Sequence, residues 1–81
     1  MAKARVTITL KQGLLDAQGN TVKSALDSLG FKQVQDVRVG KYIEMQLKAS
    51  SVQGAKREVE KMCRKLLANP VIEQYHIELV R

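Results

Sequence analysis

Aromatic side chains are scarce in this sequence, which has no tryptophan, one phenylalanine and two tyrosines in 81 residues. So few rings leave little with which to stack bases along a sheet, the usual means of holding single-stranded nucleic acid. Cysteine occurs once, at Cys63, and proline once, at Pro70. A lone thiol excludes an intrachain disulfide framework and any CxxC redox or metal pair. His76 is the only histidine and has no nearby Cys, so neither a metal cluster nor a nucleophile–base pair is assembled around it. No apolar run approaches the roughly 20 residues that a membrane-spanning helix needs. The opening Met1-Ala2-Lys3-Ala4-Arg5 has no apolar signal core behind it, and a cytoplasmic location is expected.

What is present is a basic balance, 14 Lys and Arg against 8 Asp and Glu, for a formal charge of +6. That permits nucleic-acid, nucleotide or acidic-protein partners without choosing among them. The cations are spread from Lys3 to Arg81 and interleaved with Glu58 and Glu60, which reads as a solvated surface. Residues 1–81 are expected to form one domain. A chain this short buries only about 60% of its unfolded surface, and association with a second copy would relieve the thin margin.

Hydrophobic alternation places the first strand at Arg5–Lys11, with Val6, Ile8 and Leu10 on one face. Asp16 is a good N-cap for a helix to follow, with Asn20 as a rival start because Gly19 weakens the first turn. Val22, Ala25, Leu26 and Leu29 then share one helical face, and Gly30-Phe31 has the form of a Schellman stop that places Phe31 in the core. Val34 to Leu47 reads as a β-hairpin turning at Gly40, with Val37 and Val39 before the turn and Ile43, Met45 and Leu47 after it. Ser50 and Gln53 have capping-box spacing for a second helix. Its apolar stripe of Val52, Ala55, Val59, Met62, Cys63, Leu66 and Leu67 spans an arc of about 140°. Asn69-Pro70 stops it, and a last strand follows in which Tyr75, Ile77 and Leu79 alternate with His76, Glu78 and Val80.

The order β-α-β-β-α-β implies an α+β two-layer sandwich: a ferredoxin-like antiparallel sheet with both helices on one face. The other face, with Arg5, Thr7, Thr9, Lys11, Asp36, Arg38, Tyr42, Glu44, Gln46, His76 and Glu78, is left open. Reactive chemistry is thin. Cys63 falls in the apolar helical stripe and reads as a small core residue. His76 reads as a solvated strand residue. Asp36 and Glu44 could face each other across the hairpin, but no pocket is implied around them. The glycines at 13, 19, 30, 40 and 54 match no phosphate-binding loop. An RNA- or metabolite-binding module of the same fold is the alternative reading, carried by Tyr42 with Arg38 on a central strand. It is weakened by Ile8 and Leu10 where the first strand needs aromatics.

Four segments in register resemble one family. Asp16 with Gln18-Gly19, Ala25-Leu26 with Leu29-Gly30-Phe31, Val37 to Glu44, and Met62-Cys63 with Leu66 to Glu73 are similar to the PurS family. That family is the small subunit of phosphoribosylformylglycinamidine synthase, and the resemblance covers nearly the whole chain. Ala17 departs from the proline associated with that position in the family. The resemblance implies a non-catalytic subunit in the fourth step of de novo purine synthesis. There formylglycinamide ribonucleotide, ATP and glutamine become formylglycinamidine ribonucleotide, ADP, phosphate and glutamate. It implies a homodimer, or a tetramer when isolated, that bridges a glutaminase subunit and a large synthetase subunit and supports ammonia transfer. Metal, cofactor and catalytic residues are expected to be none in this chain, ATP and Mg²⁺ belonging to the synthetase subunit, and neither nucleic acid nor membrane is expected as a partner. Asp16, Gln18 and Gly19 at the first helix start, with Arg38, Lys41 and Tyr42 at the hairpin, are the candidate subunit-contact residues. Each also has an ordinary reading as a cap, a turn residue, a solvated charge or a sheet-face ring.

Overall fold

In the computed structural model, which describes residues 1–80, the sheet is built on β1 (Ala2–Leu10) at its centre. β2 (Lys41–Leu47) and β3 (Glu73–Val80) pair with it on either side, both antiparallel, giving the order β2-β1-β3. Two helices complete the chain, α1 (Ala17–Ser28) and α2 (Val52–Met62), the second running on into a π-helical turn at Cys63–Leu67. The α+β class, the antiparallel sheet and the two helices follow from the sequence pattern. β2 and β3 run parallel to each other across β1, so β2–α2–β3 is a split βαβ unit, one half of the ferredoxin-like arrangement.

The core lies between the sheet and α2. Ala4, Val6 and Ile8 alternate inward along β1 and meet Val59 and Cys63 of the helical segment, all with no exposed surface. Ile43, Met45 and Leu47 from β2 and Tyr75, Ile77 and Leu79 from β3 flank this line. Each fully buried aliphatic side chain of this size contributes about 1.5–3 kcal/mol relative to exposure, so the row along β1 dominates the stability of this half. β1 begins three residues earlier than the alternation suggests, because Ala2 and Ala4 are small enough to continue the inward row.

Three expectations are corrected. Val34–Val39 forms no strand, so the expected hairpin and fourth strand are absent among the described residues, and the order is β-α-β-α-β. The valine alternation there is real, but the segment is tied to the start of α1 and the end of β1 by side chains instead of pairing with β2. Secondly, the inner face of the sheet is covered by α2, and α1 makes no extensive contact with it. Phe31, expected in the core, is 49% exposed for the same reason. The Schellman stop itself forms: the Phe31 amide donates to the Leu26 carbonyl at 2.9 Å and the Gly30 amide to that of Asp27 at 3.1 Å, with Gly30 at φ 101°. Thirdly, α2 is capped by Ser51, whose Oγ accepts from the Gly54 amide at 3.0 Å, and not by Ser50.

The π turn explains the last departure from a regular helical stripe. The Ala68 amide donates to the carbonyl five residues back, at Cys63, and the wider turn changes the phase of the side chains after it. Ala68 becomes buried, whereas Leu66 is turned out and is 83% exposed.

Candidate subunit-contact site

Five of the six candidate residues meet at one corner of the molecule, where β1 ends, α1 starts and residues 36–41 cross between them. Asp16 is the pivot. It is 7% exposed, and its two carboxylate oxygens serve different segments. Oδ1 accepts from the Gly19 amide at 2.9 Å, the N-cap bond that starts α1 in preference to Asn20. Oδ2 accepts from the Val39 amide at 2.7 Å, tying the helix start to the crossing segment. These amide bonds, Gly19 first and Val39 second, hold the Asp16 carboxyl below the ordinary carboxylate range, with Arg38 adding to the effect.

Arg38 works from the opposite side. Its guanidinium donates to three backbone carbonyls: Leu10 at 3.1 Å and Lys11 at 3.2 Å through Nη2, and Leu14 at 3.3 Å through Nη1. The planar fork thereby closes the loop between β1 and α1, and the Lys11 carbonyl it reaches also accepts from the Leu14 amide at 3.3 Å. Gly19 is required by proximity, since a Cβ there would collide with the Val37 carbonyl oxygen. Gly40 is in the same position against β1, where a Cβ would run into the Ile8 carbonyl oxygen. It is thus a close-approach glycine and not the apex of a hairpin.

Lys41 completes the corner on its inner side, with Nζ 3.7 Å from Glu73 Oε2. Glu73 Oε1 accepts from the Asn69 amide at 2.7 Å, and Asn69 Oδ1 accepts from the Val71 amide at 3.0 Å, so the stop after α2 also fixes this carboxylate. A cleft of about 390 Å³ is lined here by Asp16, Gln18, Gly40, Lys41 and Glu73 among others. Glu73 was not singled out from the sequence. Its spacing of four from Asn69 in an Asn-Pro turn is the signal that could have found it.

Tyr42 stands apart from the other five, on the open face of the sheet. Register pairs Arg5 with Glu44 on one side and Glu78 on the other, and Thr7 with Tyr42 and His76. The Tyr42 hydroxyl donates to Glu44 Oε2 at 2.7 Å, and this bond raises the phenol above its usual range while lowering the Glu44 carboxyl. Arg5 Nη1 lies 2.9 Å from Glu78 Oε1 and Nε 3.7 Å from Glu44 Oε2, with Lys3 Nζ 3.7 Å from Glu44 Oε1. The open face is therefore a charge-paired lattice. Asp36 and Arg38, expected on it, lie outside the sheet.

Neither region holds reactive groups in a catalytic relation. Cys63 is buried, and loss of solvent raises its thiol, which keeps it protonated and unreactive. Among the described residues no three His, Cys, Asp or Glu side chains are placed to hold a metal ion, and no helix is long and apolar enough to cross a membrane.

Comparison with known proteins points the same way along the whole chain. The family model described as PurS, phosphoribosylformylglycinamidine (FGAM) synthase, matches residues 3–81. The PurS subunits of that synthase from Methanocaldococcus jannaschii and Bacillus subtilis are each 46% identical over 79 residues, 98% of this chain and 95% and 93% of theirs. The crystal structure of M. jannaschii PurS, one of the subunits of formylglycinamide ribonucleotide amidotransferase, matches with a TM-score of 0.92 at 44% identity, covering 100% of this chain and 98% of that one. A chain in the structure of PurLQS from Thermotoga maritima matches with a TM-score of 0.88 at 26% identity, covering 99% of each.

Proposed function

Because this chain belongs to the PurS family, the small subunit of phosphoribosylformylglycinamidine synthase, we propose that it braces a glutaminase subunit against an ATP-dependent synthetase subunit in that complex. The chain is a non-catalytic subunit of a purine-biosynthetic ligase. Glutamine is hydrolysed and the amide oxygen of formylglycinamide ribonucleotide activated elsewhere in the complex, and this subunit works by position. Ammonia released at one centre diffuses freely, so holding donor and acceptor centres in a fixed relation raises its capture before it is lost to water. The subunit acts as a cytoplasmic homodimer, and Asp16, Gln18, Gly19, Arg38, Lys41 and Tyr42 carry or position the contacts.

The observation that carries this reading is likeness over almost the full length to PurS subunits, one of them solved in a PurLQS assembly. The geometry of the corner fits it. Arg38 and Asp16 spend their hydrogen bonds on the chain itself and so set the shape of a contact surface, while Gln18 and Lys41 line its cleft. On the open face Tyr42 is the single tyrosine ring, and one such ring is a poor stacking platform for RNA.

Sedimentation of the chain with the glutaminase and synthetase subunits of the same source tests the reading. A three-component species that forms only when this chain is added is the expected result. A glutaminase–synthetase pair that assembles fully without it would overturn the bracing role.

A further inference from the structure

The π turn at the end of α2, and the chain reversal behind it, hold apolar side chains in water on a backbone with no slack. Every amide from Ala68 to Glu73 has a fixed acceptor. Ala68 donates to the Cys63 carbonyl at 2.9 Å, Asn69 to Glu73 Oε1 at 2.7 Å and Val71 to Asn69 Oδ1 at 3.0 Å, while Ile72 and Glu73 donate to the Asn69 carbonyl at 3.2 and 2.7 Å. Pro70 has no amide to satisfy, and its ring fixes φ. The Ile72 carbonyl accepts from the Lys11 amide at 2.8 Å, which ties the reversal to the end of β1. Yet Leu66 and Val71 stand largely in solvent, Val71 at 77% exposed, and Ile72 is exposed beside them.

Single exposed apolar side chains are ordinary and by themselves signify nothing. Two features set these apart. The π turn expels Leu66 from the apolar stripe of the helix and takes Ala68 inside, so the exposure is made by the backbone and is not a leftover of the pattern. The reversal that follows is ordered by hydrogen bonds and not by burial. A partner therefore meets Leu66 and Val71 already in place, with little backbone freedom left to lose.

The surroundings say what kind of surface fits. Arg64 and Lys65 precede Leu66, Lys11 is bonded to the reversal through its amide, and none of the three is ion-paired among the described residues. Glu73, the one carboxylate between Cys63 and Tyr75, is turned to the Asn69 amide and to Lys41. An apolar knob among unpaired cations is complementary to an apolar socket rimmed by carboxylates. Because Glu73 also lines the cleft at the corner, the knob adjoins the candidate contact site. We infer that Leu66, Val71 and Ile72 anchor this chain on one of the two larger subunits of the complex, in an apolar socket with an acidic rim. This rests on the bracing role above and names the part of the chain that enters the partner.

The test is binding of the intact chain, native and altered, to the glutaminase and to the synthetase subunit of the same source, singly and together, by sedimentation velocity. Leu66→Asp and Val71→Asp each put a charge into the socket and are expected to weaken binding to one of the two subunits about 100-fold. Leu66→Ala should weaken it about 10-fold. Melting temperature and self-association of the free chain should not change. Val52→Asp alters an exposed apolar residue at the other end of α2 and is expected to bind as the native chain does. Arg64→Gln combined with Lys65→Gln should slow association several-fold at low ionic strength and flatten its salt dependence, and an unchanged salt dependence would overturn the acidic rim.

A second measurement reads the contact without an aspartate variant. Val71→Cys is labelled with a maleimide-linked benzophenone, which leaves buried Cys63 untouched, and is irradiated in the assembled complex. A cross-link is expected to the same subunit whose binding Leu66→Asp weakens. Aspartate variants that bind both subunits like the native chain, a loss of self-association in place of subunit binding, or no cross-link to either subunit would overturn the docking knob and leave the bracing role standing. A native chain that binds neither subunit, singly or together, would overturn both.

Discussion

The two halves of this molecule are held together by different forces. Around β1, apolar side chains close on one another with no exposed surface at Ala4, Val6, Ile8, Val59 and Cys63. Around α1 the only buried groups are Asp16 and Gly19, and order comes from a carboxylate and a guanidinium bonded to main chain. The first half is held by an apolar core. The second is a shaped arm whose apolar stripe stays exposed. The difference teaches that the part of this chain with the least apolar burial is the one held by the most specific hydrogen bonds.

The contrast can be broken most severely at the core. Ile8→Ala is expected to cost about 2–5 kcal/mol in urea unfolding, whereas Val22→Ala on the arm should cost a small fraction of that in a dilute, dissociated sample. Equal losses would mean that the arm is packed in the isolated chain. Next comes the close approach at the helix start. Gly19→Ala drives a Cβ into the Val37 carbonyl and is expected to destabilise by about 1–3 kcal/mol. Assembly with partner subunits should fall more than the core does, read by sedimentation beside thermal melting.

Arg38→Ala removes three donated bonds and is expected to cost about 1–2 kcal/mol. Arg38→Lys should recover only part of the loss, because one ammonium cannot reach three carbonyls. A full recovery would show that charge and not the fork is what matters. The next effect is one of pH. The Asp16 carboxyl is depressed in the folded chain, so its contribution is fully present above the ordinary carboxylate range and is lost as pH falls through the lower folded value. The melting-temperature gap between the native chain and Asp16→Asn should therefore be constant from pH 7 to about pH 5 and close only below about pH 4. A gap that closes near neutrality would assign the effect to another group. The smallest change is expected on the open face, where Glu78→Gln breaks an exposed pair with Arg5 and should leave thermal melting nearly unchanged.

Much of this was legible from residues alone, and where legibility failed the cause is physical. β1, β3, the Asp16 cap and the Gly30-Phe31 stop depend on local patterns and were readable locally. At Val34 to Val39 the alternation reports which side chains share a face, not whether a strand has a partner. Here Asp16 and Arg38 claimed the segment first. A straight helix would turn Leu66 inward, but one π turn rotates the side chains after Cys63. Phe31 follows a well-read helix end but packs on nothing in its own chain, which no periodicity reveals. At the candidate site, Asp16, Gln18, Gly19, Arg38 and Lys41, which lie in two separate stretches of the sequence, come together at one corner of the fold. Tyr42 sits on the opposite face because adjacent strand residues must point opposite ways.

The most direct trial of the bracing role is steady-state turnover by the glutaminase and synthetase subunits, with and without this chain, using either glutamine or ammonium as nitrogen source. Glutamine-driven synthesis should require the chain, and ammonium-driven synthesis should proceed largely without it. Glutamine-driven synthesis at full rate in its absence, or turnover by the chain alone, would contradict the account.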